Sequence, residues 1–366
     1  MYRLAVVSIE VRLFIWVRSQ LMHAFPQEVL QNPGVEVPDL LALEACVAGH
    51  RQCLPVREEF MQRYIARRAL QSLLAIWVMS LIVFGLARIS GNPLDVMLPM
   101  EALQEDYDRL SKHWGLDKPL TTQYFTFIGN ALKGDFGNSL KYQGQSAMGL
   151  VRERMPATLE LAGFALLISA LLALPIGVLA AVAKGSHWDT AAKVIALLGQ
   201  SLPAFWLGIV LMWIFAVHLD WLPSSGRGGI RHLILPAITL GWFQVAAIMR
   251  LVRSSMLDVL DTEFVKLTRV KGLPEWKVVW KHCLRNAAIA PLTFFAIIAG
   301  ALLTGSVVTE TVFTWPGVGL LVVDAVRSRD FQVVQAVVIM FAGIFILCNL
   351  LVDILYAYLD PRIRVQ

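Results

Sequence analysis

Residues 258–291 read DVLDTEFVKLTRVKGLPEWKVVWKHCLRNAAIAP, a polar stretch between two segments that are apolar enough to cross a bilayer. Its basic side chains are Lys266, Arg269, Lys271, Lys277, Lys281 and Arg285. Basic loops between membrane spans remain on the cytoplasmic side, so this loop is predicted to face the cytoplasm.

The same loop has the periodicity of two short helices. Before Gly272, apolar residues recur at helical spacing at Leu257, Leu260, Phe264 and Leu267. Gly272 suits the left-handed residue that ends a helix, and Pro274 suits the first turn of the next one. A helix-turn-helix outside the membrane offers a surface to a cytoplasmic partner, which a transporter working alone does not need.

Composition independently favours a membrane protein with several spans. Hydrophobic residues make up 57% of the 366 residues and charged residues only 16%. Soluble domains contain roughly 25% charged residues. A soluble fold of this length would therefore leave much apolar surface in water.

Six candidate spans can be placed, each requiring about 20 mostly apolar residues. They lie at about residues 70–87, 159–183, 194–217, 233–249, 289–308 and 333–355. Basic residues precede the first span, lie between the second and third and between the fourth and fifth, and follow the sixth. This predicts cytoplasmic termini, although Arg227, Arg231, Arg327 and Arg329 in the outer connections weaken the charge contrast. Residues 90–155 then form an external region.

Residues 1–60 differ from the rest of the chain. They contain no apolar run of about 18 residues, and no tidy apolar core with a cleavage site follows Arg3. We interpret them as an N-terminal extension that takes no part in the membrane domain, expected to be poorly ordered or to reflect a mis-assigned start. The domain that contains the spans would occupy residues 61–366.

Several chemistries lack their sequence signatures. The chain has no GxxxxGK[ST] phosphate loop, no HExxH and no GxSxG. Cys46, His50 and Cys53 supply three possible metal ligands, whereas a structural zinc site normally has four. We therefore predict no catalytic residue, no metal site and no nucleic-acid partner; the net charge of +5 follows from the basic cytoplasmic loops. Energy for transport must come from a partner protein or an ion gradient.

Polar side chains inside spans are candidates for a solute path, because ionisable groups in a membrane usually face an interior or a watery cavity. The candidates are Glu310, Asp353, Glu160 and Gln200. The alternative is a structural role. Asp353, four residues after Asn349, can bond to neighbouring helices, and Glu160 can be an acid at a helix N-terminus.

A known family is similar in several of these segments. Glu263, Gly272 and Pro291 occur at the spacing of the cytoplasmic loop in ABC-importer permeases, and residues 269–293 resemble the dipeptide/oligopeptide/nickel branch, with Val270 in place of the usual Ala. Similar motifs elsewhere are GDFGNS at 134–139, PATLE at 156–160, SLPAFWLG at 201–208, ETVFTWPGVG at 310–319, NLLVD at 349–353 and LDPR at 359–362. The resemblance covers about residues 61–364.

The resemblance implies an all-α membrane protein of the type I ABC-importer permease fold. Such a fold has six transmembrane helices, an external domain between helices 1 and 2, and a cytoplasmic coupling helix between helices 4 and 5. The coupling loop would span about residues 254–288, with ATPase-coupling residues Glu263, Lys271, Gly272, Glu275 and Lys277. The resemblance also implies a translocation path or gate, for which the candidates are Glu310, Trp315, Gln200 and Asp353.

The function implied is the permease subunit of a binding-protein-dependent importer in the bacterial inner membrane. Its partners would be a second permease forming a heterodimer, two ATPase subunits that bind ATP and magnesium, an external solute-binding protein and the lipid bilayer. The solute stays open among dipeptides, longer peptides, glutathione and nickel chelates. A carrier driven by an ion gradient is the alternative; an intramembrane hydrolase would need a Ser/His or paired-Asp arrangement, which we do not find.

Overall fold

A computed structural model of the protein describes residues 54–89 and 103–359. The chain divides into two units, Met1–Phe60 and Met61–Gln366. Within the described ranges it is helical, with one isolated antiparallel bridge between Asn138 and Ser146. The expectations for residues 1–53, including the set of Cys46, His50 and Cys53, fall outside these ranges.

The helices are numbered in chain order. Those before the polar loop are α1 (Leu54–Ile89), α2 (Gln104–Trp114), α3 (Leu120–Ala131), α4 (Ala147–Val182), α5 (His187–Ser201), α6 (Ala204–His218, with a π-helical end at Trp213–His218) and α7 (Ile230–Leu260). Those that follow are α8 (Glu263–Val270), α9 (Glu275–Ala287, π-helical over Val278–Cys283), α10 (Ile289–Gly305), α11 (Val307–Val312), α12 (Val318–Arg327) and α13 (Phe331–Leu359).

Among the described residues, four helices contain a segment long and apolar enough to cross a membrane: α1, α4, α7 and α13. Two bent pairs raise the number to six if each pair is one span: α5 with α6, bent by 103°, and α9 with α10, bent by 58°. The first bend lies at Leu202–Pro203, where proline cannot continue the backbone hydrogen-bond ladder. The all-helical membrane fold predicted from the sequence is thus confirmed.

Helix α7 is the centre of the bundle and packs chiefly against α4. Its most apolar stretch is 67% buried inside the chain, whereas that of α1 is 17% buried. Glycines permit the close approach: a β carbon on Gly177 of α4 would lie 2.8 Å from the Met249 carbonyl oxygen of α7. The Ser169 hydroxyl of α4 also donates to the Gly241 carbonyl of α7 at 3.2 Å. Small residues that bring backbones together are typical of helix packing in membranes.

Two helix boundaries have local causes. Helix α4 begins at Ala147, before the membrane span predicted from about residue 159, because Ser146 caps it by accepting from the Gly149 amide at 3.0 Å. The helical spacing from Leu257 to Leu267 does not form one helix. The chain breaks at Asp261–Thr262, where Thr262 is extended. After the break, α8 buries Val265 and Thr268 and leaves Phe264 and Leu267 exposed, so the apolar spacing does not continue on one buried side.

Candidate functional site

The elbow, defined as residues Glu263–Ala287, consists of α8 and α9 joined by a tight turn. Gly272 has a φ of +75°, the left-handed conformation predicted for it, and its amide donates to the Arg269 carbonyl at 2.9 Å. Pro274 follows with a φ of −65° and directly precedes α9. A β carbon at Gly272 would meet nothing within 4 Å. The backbone conformation, and not crowding, therefore requires glycine there.

A bidentate ion pair joins the two helices of the elbow. Arg269 Nη2 lies 2.7 Å from Glu275 Oε1, and Arg269 Nε lies 3.2 Å from Glu275 Oε2. The hydrogen bond to Glu275 raises the pKa of Arg269 above its ordinary value. Glu263, one of the predicted ATPase-coupling residues, pairs with Lys266 at 2.7 Å within α8. The contact across the turn comes from Arg269, which the sequence analysis did not single out for this role.

One face of the elbow is buried against the bundle. Its buried apolar side chains are Val265, Val278, Val279, Cys283 and Ala287. They belong to the same hydrophobic cluster as Val252 and Met256 of α7. The elbow is therefore packed onto the end of the central helix and is not a free linker.

The opposite face of the elbow, here called the aromatic face, is apolar and open. It consists of Leu267, Val270, Leu273, Trp276 and Trp280, which are 37–84% exposed. Lys271, Glu275 and Lys277 are exposed beside it, and Lys277 Nζ lies 5.5 Å from the centre of the Trp276 ring. Exposed apolar side chains next to charged ones make this face a candidate surface for another protein.

Glu310 lies at the centre of a buried cluster of hydrogen bonds, here called the polar knot, which also includes Thr158, Ser306, Trp315 and Leu320. Glu310, expected near the outer end of the fifth span, lies in the short helix α11 that follows α10, and it is 0% exposed. Glu310 Oε1 accepts from the Ser306 hydroxyl at 2.6 Å and the Thr158 hydroxyl at 2.9 Å, and Oε2 accepts from the Leu320 amide at 3.0 Å. Its carboxylate thus ties α11 to α4 and α12 and has no access to solute in this conformation.

Trp315 belongs to the same knot. Its side chain is 0% exposed, and the indole N–H donates to the Ala157 carbonyl of α4 at 2.8 Å. Beside it, Thr314 has a φ of +48°, an unusual backbone conformation for a β-branched residue. The knot therefore holds a strained turn between α11 and α12 in one arrangement.

The remaining polar candidates lie apart from the knot or at its edge. Gln200 accepts from Arg250 Nη1 at 3.0 Å, near the bend between α5 and α6. Glu160 pairs with Arg227 Nη2 at 2.5 Å in an exposed ion pair. Asp353 lies in α13, and its side chain is outside the described part of the structure. Of the predicted path or gate residues, Glu310 and Trp315 lie together, whereas Gln200 bonds to Arg250 instead.

Two further buried acids were missed by the sequence analysis. Asp189 of α5 pairs with Arg253 of α7, and Asp330 accepts from the Ser139 hydroxyl and the Lys141 amide. In each case the partners are far apart in the sequence, and no local pattern links them. Among the described residues, no group of three His, Cys, Asp or Glu is placed to hold a metal ion.

Comparisons with known proteins identify the family of this chain. A family profile described as "Binding-protein-dependent transport system inner membrane component" matches residues 173–365. The "Di/tripeptide transport system permease protein DppB" of Pseudomonas aeruginosa is 39% identical over 339 residues, covering 84% of this chain and 100% of that protein.

Two other relatives are similar over nearly the same region. The "Oligopeptide transport system permease protein AppB" of Bacillus subtilis is 36% identical, covering 83% of this chain and 100% of its own length. The "Glutathione transport system permease protein GsiC" of Escherichia coli K12 is 38% identical, covering 83% of this chain and 99% of its own length.

Proposed function

This chain belongs to the family of binding-protein-dependent transport permeases, and we propose that it forms the translocation path of an ABC importer for small peptide-like solutes. Three relatives are named for di- and tripeptides, oligopeptides and glutathione, all of which contain amide-linked amino acids. The chain is a transport subunit and not an enzyme. ATP and magnesium would be bound by separate ATPase subunits.

The observation that carries the proposal is the shape of the elbow. Its buried face is packed onto α7, while the aromatic face is open and rimmed by charge. An ATPase that gripped the aromatic face would pull directly on the central helix of the bundle. A carrier driven by an ion gradient has no use for an apolar surface of this kind outside the membrane.

In the proposed cycle, this permease pairs with a second, different permease, and the solute passes between them. ATP binding closes two cytoplasmic ATPase subunits, and the elbow transmits that movement to α7. The bundle then opens outward and receives the solute from an external binding protein. Both chain termini and the elbow lie in the cytoplasm, and residues 90–155 lie outside.

Gentle purification from the native membrane tests the assembly. We expect two ATPase subunits and a second permease to co-purify with this chain. In proteoliposomes, the complete assembly with its binding protein should take up peptide only when ATP is supplied. Uptake by the purified chain alone, driven by a proton or sodium gradient without ATP, would instead identify a secondary carrier.

A further inference from the structure

A buried ion pair fastens α5 to the end of α7 that leads into the elbow. Arg253 Nε lies 2.6 Å from Asp189 Oδ1, and Arg253 Nη2 lies 3.0 Å from Asp189 Oδ2. The Asp189 side chain is 1% exposed and that of Arg253 is 20% exposed. Bidentate pairs of guanidinium and carboxylate are strong and fix the relative orientation of the two groups.

The other partners of Asp189 all come from its own end of α5. The Gly185 amide donates to Asp189 Oδ2 at 3.0 Å, and Lys193 Nζ lies 2.9 Å from the same oxygen. The backbone amide of Asp189 donates to the helix-capping Ser186 hydroxyl. These contacts hold the carboxylate rigidly on α5. Of the described contacts of the Asp189 carboxylate, those with Arg253 connect it to another helix, α7.

Arg253 lies on the part of α7 whose buried side chains share a cluster with the elbow, so displacement of the elbow would displace Arg253. It lies between Val252 and Met256, both 0% exposed and in the cluster that includes the buried face of the elbow. Farther along the same pair of helices, Gly199 and Ala246 bring α5 and α7 close together, since a β carbon on Gly199 would lie 2.6 Å from Ala246 Cβ. Arg250 of α7 also donates one exposed hydrogen bond to Gln200 of α5 at 3.0 Å. A single exposed hydrogen bond resists movement of one helix along the other less than a buried bidentate ion pair does.

We propose that Asp189 and Arg253 are a positioning pair that carries the displacement of the elbow from α7 to α5, and through the bend at Pro203 to α6. The inference rests on the proposed function, because it assumes that an ATPase moves the elbow. With the pair intact, α5 follows α7. Without it, the ATPase subunits can still dock and hydrolyse ATP, but the α5–α6 segment lags behind.

The test compares variants of the assembled transporter in proteoliposomes, measuring peptide uptake and ATP hydrolysis together. R253M and D189N should each lower the number of peptides moved per ATP by about tenfold, within the range of coupling free energies between distant sites. R253K keeps the charge but loses the bidentate geometry, so its number of peptides moved per ATP should lie between those of R253M and the wild type. K193M removes the exposed partner of Asp189, leaves the pair in place and should couple like the wild type.

The double variant D189N/R253M separates positioning from charge burial. Each single variant leaves a buried group without its partner, and this alone can destabilise the protein. The double variant removes both charges, so its thermal stability should recover while peptides per ATP stay low. Normal coupling in the double variant would overturn the proposal, because the pair would then only satisfy buried charge. If the wild-type assembly shows no solute-dependent ATP hydrolysis, the proposed function itself fails, independently of the variants.

Discussion

At the scale of single residues, Glu310 shows how a polar candidate for solute contact proves to be deeply enclosed. A carboxylate in an apolar segment suggests a path, but here its oxygens are occupied by Ser306, Thr158 and the Leu320 amide. Glycines make room for it, since a β carbon on Gly317 would lie 2.4 Å from Glu310 Oε2. We therefore interpret Glu310 as the residue that holds the turn between α11 and α12 in shape.

Glu310→Gln should destabilise the protein, because an amide group cannot accept at both ends and one buried donor is left unpaired. The expected loss is about 1–3 kcal/mol. Thermal unfolding in detergent measures it, with Glu160→Gln as the matched control, since the ion pair of Glu160 is partly exposed and worth at most about 1 kcal/mol. Equal stability of the two variants, with peptide uptake lost only in Glu310→Gln, would show that Glu310 contacts solute.

At Gly272, the backbone conformation determines which substitutions are tolerated. Gly272→Val places a β-branched side chain at a φ of +75°, which costs roughly 1–2 kcal/mol and distorts the turn. We expect ATP hydrolysis to continue while peptide uptake falls, as measured together in proteoliposomes. Gly272→Asn is the control, because asparagine tolerates the left-handed region and should keep transport. Normal uptake by the valine variant, with the ATPase still bound, would count against the proposed coupling.

At the scale of elements, the elbow has two faces with different tasks. Val265 and Val278 anchor it to the cluster around α7, and the Arg269–Glu275 pair closes the turn. The side chains of the aromatic face are 37–84% exposed and lie outside the buried cluster. Changes on the buried face should therefore affect folding, and changes on the aromatic face should affect assembly.

Trp276→Ala tests that division. Trp276 is 63% exposed, so its removal should leave thermal stability unchanged. Loss of an exposed aromatic anchor should weaken binding of the ATPase subunits by about 1–3 kcal/mol, measured by titration of detergent-solubilised permease. Trp221→Ala is the matched control, because Trp221 is 65% exposed but lies in the connection between α6 and α7 that is predicted to face outside. Equal ATPase affinity for both variants would exclude the aromatic face from docking.

At the scale of the whole molecule, sequence patterns predicted features formed by neighbouring residues and missed contacts between residues far apart in the chain. The turn at Gly272 follows from glycine and proline chemistry within a few residues, and the helical membrane fold follows from composition. The pair of Asp189 and Arg253, and the bond between Ser139 and Asp330, join residues far apart in the chain. Such contacts depend on how helices pack, and a single sequence does not encode them in any local pattern.

The central claim is that a separate ATPase subunit binds the elbow in the cytoplasm, and that this chain forms the transport path without hydrolysing ATP itself. The most direct measurement is photo-cross-linking in native membrane vesicles, with a benzophenone side chain at position 276 and, as the control, at position 132. Leu132 is 84% exposed and lies in the region predicted to be external. The account predicts a cross-link from position 276 to an ATPase subunit and none from position 132. Cross-linking of position 276 only to lipid, or its labelling by an impermeant reagent from outside the cell, would contradict it.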